Sequence, residues 1–200
     1  ALVLASFNQT YKLTAPFFAA WLDALRAHAD AVLWLNVPHE LARANLRAEA
    51  ARTGVAPERI VFAPTVPQAA HVARLACADL ALDVLPYGSH TTGSDALWAG
   101  VPLLTCRGTT FAGRVGASLL QADELPELVA ETPAASARMP RDLCADRTRV
   151  RPAIRRRAAA RALPPAPRSG ASHAAVVRHR GVHTGVRAIA RRRRERTNMS

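Results

Sequence analysis

Three short segments hold most of the residue types in this 200-residue chain that could do chemistry. They are FNQTYK (7–12), PTVPQAAHVAR (64–74) and PYGSHTTGSD (86–95). In the third, Gly88, Ser89, Thr91, Thr92 and Gly93 stand just before an apolar helical stretch. Backbone N–H groups and hydroxyls at such a junction can face an anion. Lys12 is the only lysine beside 26 arginines. Arginine replaces lysine on most solvated surfaces, so a single lysine in a strand-to-helix loop reads as a compact point charge. Together these types point to a phosphate site. Structural alternatives stay open for each: a solvated Lys12, a surface His71, an Arg74 paired with a nearby acid, and an HTTG segment that only caps a helix.

The elements that must position these segments alternate. Residues 3–6 read as a strand, and a helix over 16–28 follows, with Thr14 as its cap and Pro16 in its first turn. Residues 31–37 (AVLWLNV) read as a buried strand. Leu41, Ala44, Ala48 and Ala51 recur at helical spacing before Gly54, a C-terminal stop. Strands over 60–64, 80–85 and 102–105 then alternate with helices over 68–76, 94–99 and 112–121. Short connections between alternating strands and helices imply an α/β fold, a doubly wound parallel sheet. Ligands of such sheets sit outside the carboxyl ends of the strands, and all three segments follow a strand there. Asp83, at a strand end, reads as structural. Trp21, Trp34 and Trp98 sit among apolar neighbours and are expected in the core, whereas His28 and His39 read as solvated helix-end residues.

Composition divides the chain in two. The net charge is +12, the pattern of a nucleic-acid binder at first sight. Residues 1–133 nevertheless carry 9 basic against 12 acidic residues, while 134–200 carry 18 arginines against 3 acidic residues. All the basicity lies in an Arg/Ala/Pro-rich tail with few large apolar side chains, expected to be disordered. Three widely spaced cysteines, Cys77, Cys106 and Cys144, fit neither a disulfide framework nor a zinc pattern, so they read as small hydrophobes in a reducing cytoplasm. No apolar run is long enough to span a bilayer. The start, ALVLASFNQTYK, has no basic n-region and no initiator Met, as if cut from a longer chain.

Taken in order, F-N-Q-x-Y-K, P-x-x-P-x-x-x-H-V-x-R and G-x-H-T-T-G-x-D-x-L-W-A-G-x-P closely resemble the C-terminal catalytic lobe of the O-linked N-acetylglucosamine (O-GlcNAc) transferase family, with the SPINDLY-type enzymes as relatives. The likeness covers about residues 1–131. It implies one Rossmann-like lobe of a GT-B glycosyltransferase, with 1–133 as the UDP-sugar-binding lobe and the N-terminal lobe and tetratricopeptide repeats elsewhere in a parent protein. By position it puts Gln9 and Lys12 on the diphosphate, Lys12 acting on the departing UDP. His71 would stack on the uracil with Arg74 flanking it. His90, Thr91 and Thr92 would meet the phosphates, and Asp95 the ribose hydroxyls. Gln68 stands where well-known members carry a second lysine near the ribose.

The implied function is inverting transfer of N-acetylglucosamine, or a related sugar, from UDP to Ser or Thr of a protein acceptor, without a cofactor. No metal is expected, since no carboxylate pair stands out to hold a divalent ion on the diphosphate. The lobe alone is expected to be inactive. A non-catalytic UDP-binding lobe, a different GT-B enzyme such as an adhesin glucosyltransferase or a sugar-nucleotide epimerase, and a basic-tailed nucleic-acid binder remain as alternatives. The tail has two readings. It is a native basic segment that binds nucleic acid non-specifically, or it follows a frameshift near residue 134. Codons compatible with 173–186, shifted by one base, can spell a segment close to the P-L-F-D-T motif that the family carries after this point.

Overall fold

The computed structural model describes residues 2–145. Six strands form one parallel sheet: β1 (Leu2–Ser6), β2 (Ala31–Leu35), β3 (Ile60–Phe62), β4 (Leu80–Leu82), β5 (Leu103–Cys106) and β6 (Val129–Ala130). Each is followed by a helix: α1 (Ala15–Ala27), α2 (Glu40–Arg52), α3 (Gln68–Leu75), α4 (Thr91–Trp98), α5 (Phe111–Ala122) and α6 (Pro133–Ala145). The strand order is β3-β2-β1-β4-β5-β6. The chain thus builds outward from β1 to β3, then crosses back so that β4 pairs with the free side of β1, Leu4 opposite Leu80 and Ala5 opposite Ala81. That reversal opens a crevice beyond the carboxyl ends of β1 and β4, where doubly wound sheets bind ligands.

Helices on both faces explain why β1 (LVLAS) and β2 (AVLWL) are apolar apart from Ser6 and buried at every position. On α1, Phe18, Trp21, Leu22 and Leu25 form one buried stripe at helical spacing. Trp34 is buried in β2, and all three cysteines are buried free thiols. Gly54 and Gly100 close α2 and α4 at φ +80°, a conformation open to glycine at little steric cost.

Several details differ from the sequence reading. Helix α4 begins at Thr91, so Thr91, Thr92 and Gly93 form its first turn instead of the loop before it. Helix α2 is present, but the face read from Leu41, Ala44, Ala48 and Ala51 is the solvent face. Its inner side is Ala42, Leu46 and Ala50, and Leu41 is exposed. Alanines there serve helix propensity, not burial. Trp98 is 68% exposed, because Gly93, Ala96 and Leu97 form the inward face of α4. Thr14 occupies the cap position of α1 without a side-chain capping bond.

The tail boundary also moves. Residues 134–145, assigned by composition to the tail, lie in α6. The Thr132 hydroxyl caps this helix by accepting from Ala135 N at 3.1 Å. Its buried face is Ser136, Pro140, Leu143 and Cys144, and it packs against α1, β5 and β6. The expectations of disorder and of a frameshift for the rest of the tail lie outside the described residues.

Arg59 is 5% exposed and ties three elements together. Its guanidinium donates to Leu25 O (2.7 Å) and His28 O (2.6 Å) at the end of α1, and to Ala31 O (2.9 Å) at the start of β2. It thereby adds a charged donor to Leu25 O and His28 O, which the backbone N–H groups of His28 (3.3 Å) and Ala31 (3.0 Å) also engage, and braces the turn between α1 and β2. Replacing Arg59 by Met should destabilise the lobe by about 2–4 kcal/mol, the range for buried acceptors stripped of a charged donor. Urea unfolding of the two proteins measures this, and a loss under about 0.5 kcal/mol would contradict the role.

Candidate functional site: the crevice beyond β1 and β4

Strand β4 runs into Asp83, which is 5% exposed. Its Oδ1 accepts from Val84 N (2.8 Å), Ser89 N (2.6 Å) and Ser89 Oγ (2.6 Å), and its Oδ2 from Thr105 Oγ1 (2.7 Å) of β5. Burial pushes the Asp83 carboxyl above the usual range, against the pull of these four hydrogen bonds. The structural role expected for Asp83 is met, and its consequence is local: it fixes the turn that delivers α4. Ser89, read as facing an anion, is instead buried. Besides Asp83 it contacts Asn8, whose Nδ2 donates to Ser89 Oγ at 2.9 Å. Thr92 Oγ1 donates to Asn8 Oδ1 at 3.2 Å. Asn8 therefore joins the exit of β1 to the first turn of α4.

The first N–H groups of a helix have no intrahelical partner, and His90, at the cap position of α4, supplies no side-chain cap. This start of α4 opens onto the crevice beside Lys12. Lys12 lies in a 3-10 turn, Thr10–Lys12, that directly follows Gln9. Its Nζ donates to Gly88 O at 3.2 Å and sits 3.9 Å from the centre of the Tyr87 ring. Partial burial lowers the Lys12 pKa from the ordinary lysine value, and the Asp83 carboxylate pulls it back upward. The His90 imidazole stacks on Tyr87, with centroids 5.1 Å apart and planes 14° from parallel, and contacts Ala112 O at 3.2 Å.

Helix α3 reaches the same crevice although it leaves the edge strand β3, because it is the crossover that returns the chain to β4. Gln68 Nε2 donates to Asp95 Oδ2 at 2.9 Å, joining α3 to α4. His71 meets the Phe7 ring edge-on at 5.0 Å. Arg74 is 4% exposed behind it, donating to Pro64 O and to His71 Nδ1 (3.0 Å) and lying over the rings of Phe7 and Trp34. Arginine has no acceptor, so His71 Nδ1 must accept and Nε2 carries the proton. Desolvation and the nearby guanidinium lower the His71 pKa, keeping the ring neutral, while Asp95 pulls the other way. Arg74 Nε is buried without a hydrogen-bond partner. No acid is among the hydrogen-bond partners found for Arg74 in the described residues, so it braces His71.

Gln9, Lys12, Gln68, His71, Arg74, His90, Thr91, Thr92 and Asp95 thus lie on segments that gather at the carboxyl ends of the strands, with Gln9, Gln68 and Thr91 exposed. The residues that hold them together were less legible: Asn8, Tyr87, Ser89, Thr105 and Gly116. A Cβ on Gly116 would stand 2.6 Å from Asp83 Oδ2 and 2.8 Å from Thr105 Oγ1, so only glycine fits. The grooves between α1 and α2 and along α5 are lined by none of the nine predicted residues. Among the described residues no three His, Cys, Asp or Glu side chains could share a metal ion, and no helix is long and apolar enough to cross a membrane. What the crevice offers is a cation and helix-start N–H groups for an anion, a neutral imidazole for a flat ring, and a carboxylate for hydroxyls.

Strand order and crevice define a doubly wound, Rossmann-like lobe. The sequence model of Glycosyl transferase family 41 matches residues 1–163, and the chain belongs to that family, the O-GlcNAc transferase type of glycosyltransferase. A UDP-N-acetylglucosamine–peptide N-acetylglucosaminyltransferase of Caenorhabditis elegans is 37% identical over 133 residues, 66% of this chain and 12% of that protein. A probable enzyme of the same name from Arabidopsis thaliana, SEC, is 36% identical over 123 residues, 62% of this chain and 13% of that one. The structure of an O-GlcNAc transferase mutant from Thermobaculum terrenum superposes with a TM-score of 0.71 at 30% identity, covering 80% of this chain and 32% of that one. The chain therefore spans a small part of its relatives' length.

Two outcomes follow from this geometry. Gly116→Ala should cost about 1–3 kcal/mol in urea unfolding, the usual penalty for overpacking, and a neutral result would mean that the Asp83 pocket is loose. The lowered His71 pKa sets a pH dependence. Folding then favours the neutral ring, so its contribution is full above the unfolded value near 6.5 and is lost as pH falls toward the folded pKa. Urea midpoints from pH 7 to 5 should fall more steeply for the wild type than for His71→Gln. Parallel profiles would show that His71 is not held neutral.

Proposed function

We propose that this lobe binds a UDP-sugar, UDP-N-acetylglucosamine or a close relative, for inverting transfer to Ser or Thr of a protein acceptor. One observation carries the reading: Lys12, the open start of α4, the neutral His71 and the Gln68–Asp95 pair all converge on the β1–β4 crevice. Each matches one part of the donor. Lys12 and Gln9, with His90, Thr91 and Thr92, serve the diphosphate, His71 the uracil face, and Asp95 the ribose hydroxyls. Gln68 in place of a lysine makes the ribose end less cationic and holds Asp95 as an acceptor.

In the reaction the acceptor hydroxyl oxygen forms a bond to the anomeric carbon as the bond from that carbon to the β-phosphate oxygen breaks. The bonding electrons leave with UDP, the hydroxyl proton passes to a base, and the configuration inverts. Lys12 and the helix-start N–H groups are placed to take the charge that develops on the leaving diphosphate, a fixed electrostatic stabilisation that needs no metal. A single lobe cannot enclose donor and acceptor from both sides, so the chain alone binds without transferring, and the opposite lobe must come from elsewhere in a longer protein.

Calorimetric titration tests this. UDP should bind the 200-residue chain saturably and at moderate salt, and Lys12→Met should weaken it about tenfold or more, the range for a charge-assisted hydrogen bond. Binding unaffected by the substitution would refute the assignment. Binding that tracked salt like a polyanion contact would favour the basic tail as the anion site.

A further inference from the structure

Two of the groups assigned to the diphosphate contact Tyr87, a residue of the 86–95 segment to which no role was given. Tyr87 lies in the turn before α4 and is 45% exposed. Lys12 Nζ stands 3.9 Å from its ring centre, and the His90 imidazole stacks on it at 5.1 Å. The second fixed contact of Lys12 is the carbonyl of Gly88, the next residue in the chain. Gly88 itself is locked: its N–H donates to Ala112 O at 3.2 Å, and a Cβ there would stand 3.2 Å from that oxygen and from Asp83 Oδ2. The lysine stem is otherwise free to rotate through many conformers, as an unbranched four-carbon chain does. An aromatic face draws an ammonium by its quadrupole and leaves the remaining N–H donors free for an anion.

We propose that Tyr87 is a positioning residue for the donor diphosphate: its ring parks the Lys12 ammonium beside the start of α4. The inference rests on the donor reading above and deepens it by naming what pre-orders the cation. Its energetic logic is pre-organisation. A lysine already confined over the ring loses less freedom when the diphosphate arrives. The Tyr87 hydroxyl has no part in this, so a phenylalanine serves equally.

Because Lys12 is the only lysine in the chain, selective labelling of lysine gives a single ε-methylene signal in the spectrum of the full protein. Ring shielding should move that signal upfield in the wild type and in Tyr87→Phe, and Tyr87→Leu should return it to its random-coil position. By calorimetry, Tyr87→Leu should weaken UDP about tenfold, the upper range for a partly desolvated cation–π contact, and leave uridine unchanged. Tyr87→Phe should restore the lost affinity, and in a Lys12→Met background Tyr87→Leu should change UDP affinity less than about twofold. Equal losses for UDP and uridine, additive losses in the double variant, or an unshifted lysine signal in the wild type would each overturn the proposal. The lysine signal needs no UDP and no variant, so it decides even if Tyr87→Leu fails to fold. An upfield signal with no UDP binding by the wild type would overturn the donor reading, and the diphosphate role of Tyr87 with it, while leaving the ring–ammonium pair in place.

Discussion

Asp83 carries a carboxylate shut away from water, and every donor it needs comes from the walls of the crevice. Two backbone and two hydroxyl hydrogen bonds converge on it from its own strand end, from Ser89 and from β5. A buried carboxylate without such donors would be costly. The requirement runs in both directions: Asp83 fixes Ser89, Ser89 fixes Asn8, and Asn8 receives Thr92 in the first turn of α4. The two strand exits that flank the crevice are thereby held in one geometry. Gly116 lets α5 approach closely enough to seal the pocket.

What stands on this base is a set of groups from distant parts of the chain. Lys12 belongs to the β1 exit, His90 to the start of α4, and His71 to the crossover helix α3. A second layer holds each in place: Tyr87 under Lys12 and beside His90, Arg74 behind His71, Gln68 on Asp95. No ion pair joins these groups among the described residues. Lys12 is partly desolvated, desolvation and the Arg74 guanidinium lower the His71 pKa, and the helix start has no side-chain cap.

The sheet was legible because its strands are buried on both faces and so read as unbroken apolar runs, and because Gly54 marks a helix end unambiguously. The crevice residues were legible through their types, and their convergence through the alternation of elements. Other features left weak signals. Strand β6 is two residues long, too short for any pattern. Helix α6 hides its buried face in Ser136, Pro140 and Cys144, residues that do not register as a hydrophobic stripe. The face of α2 was misread because alanine suits either side of a helix at the sheet's edge, where Arg43 and Arg47 cover Phe62. Trp98 was misplaced because its apolar neighbours in sequence, Ala96 and Leu97, point the other way. The Asp83 network was not legible, since its partners lie just past β4, in the turn before α4 and on β5, and nothing in spacing links them.

A crystal structure of the chain grown with UDP tests most directly whether the β1–β4 crevice is the donor site. The diphosphate should lie within hydrogen-bonding reach of Lys12 Nζ and the N–H groups of Thr91 and Thr92, with the uracil against His71 and the ribose on Asp95. UDP seated instead in the groove between α1 and α2, or along α5, would contradict the claim.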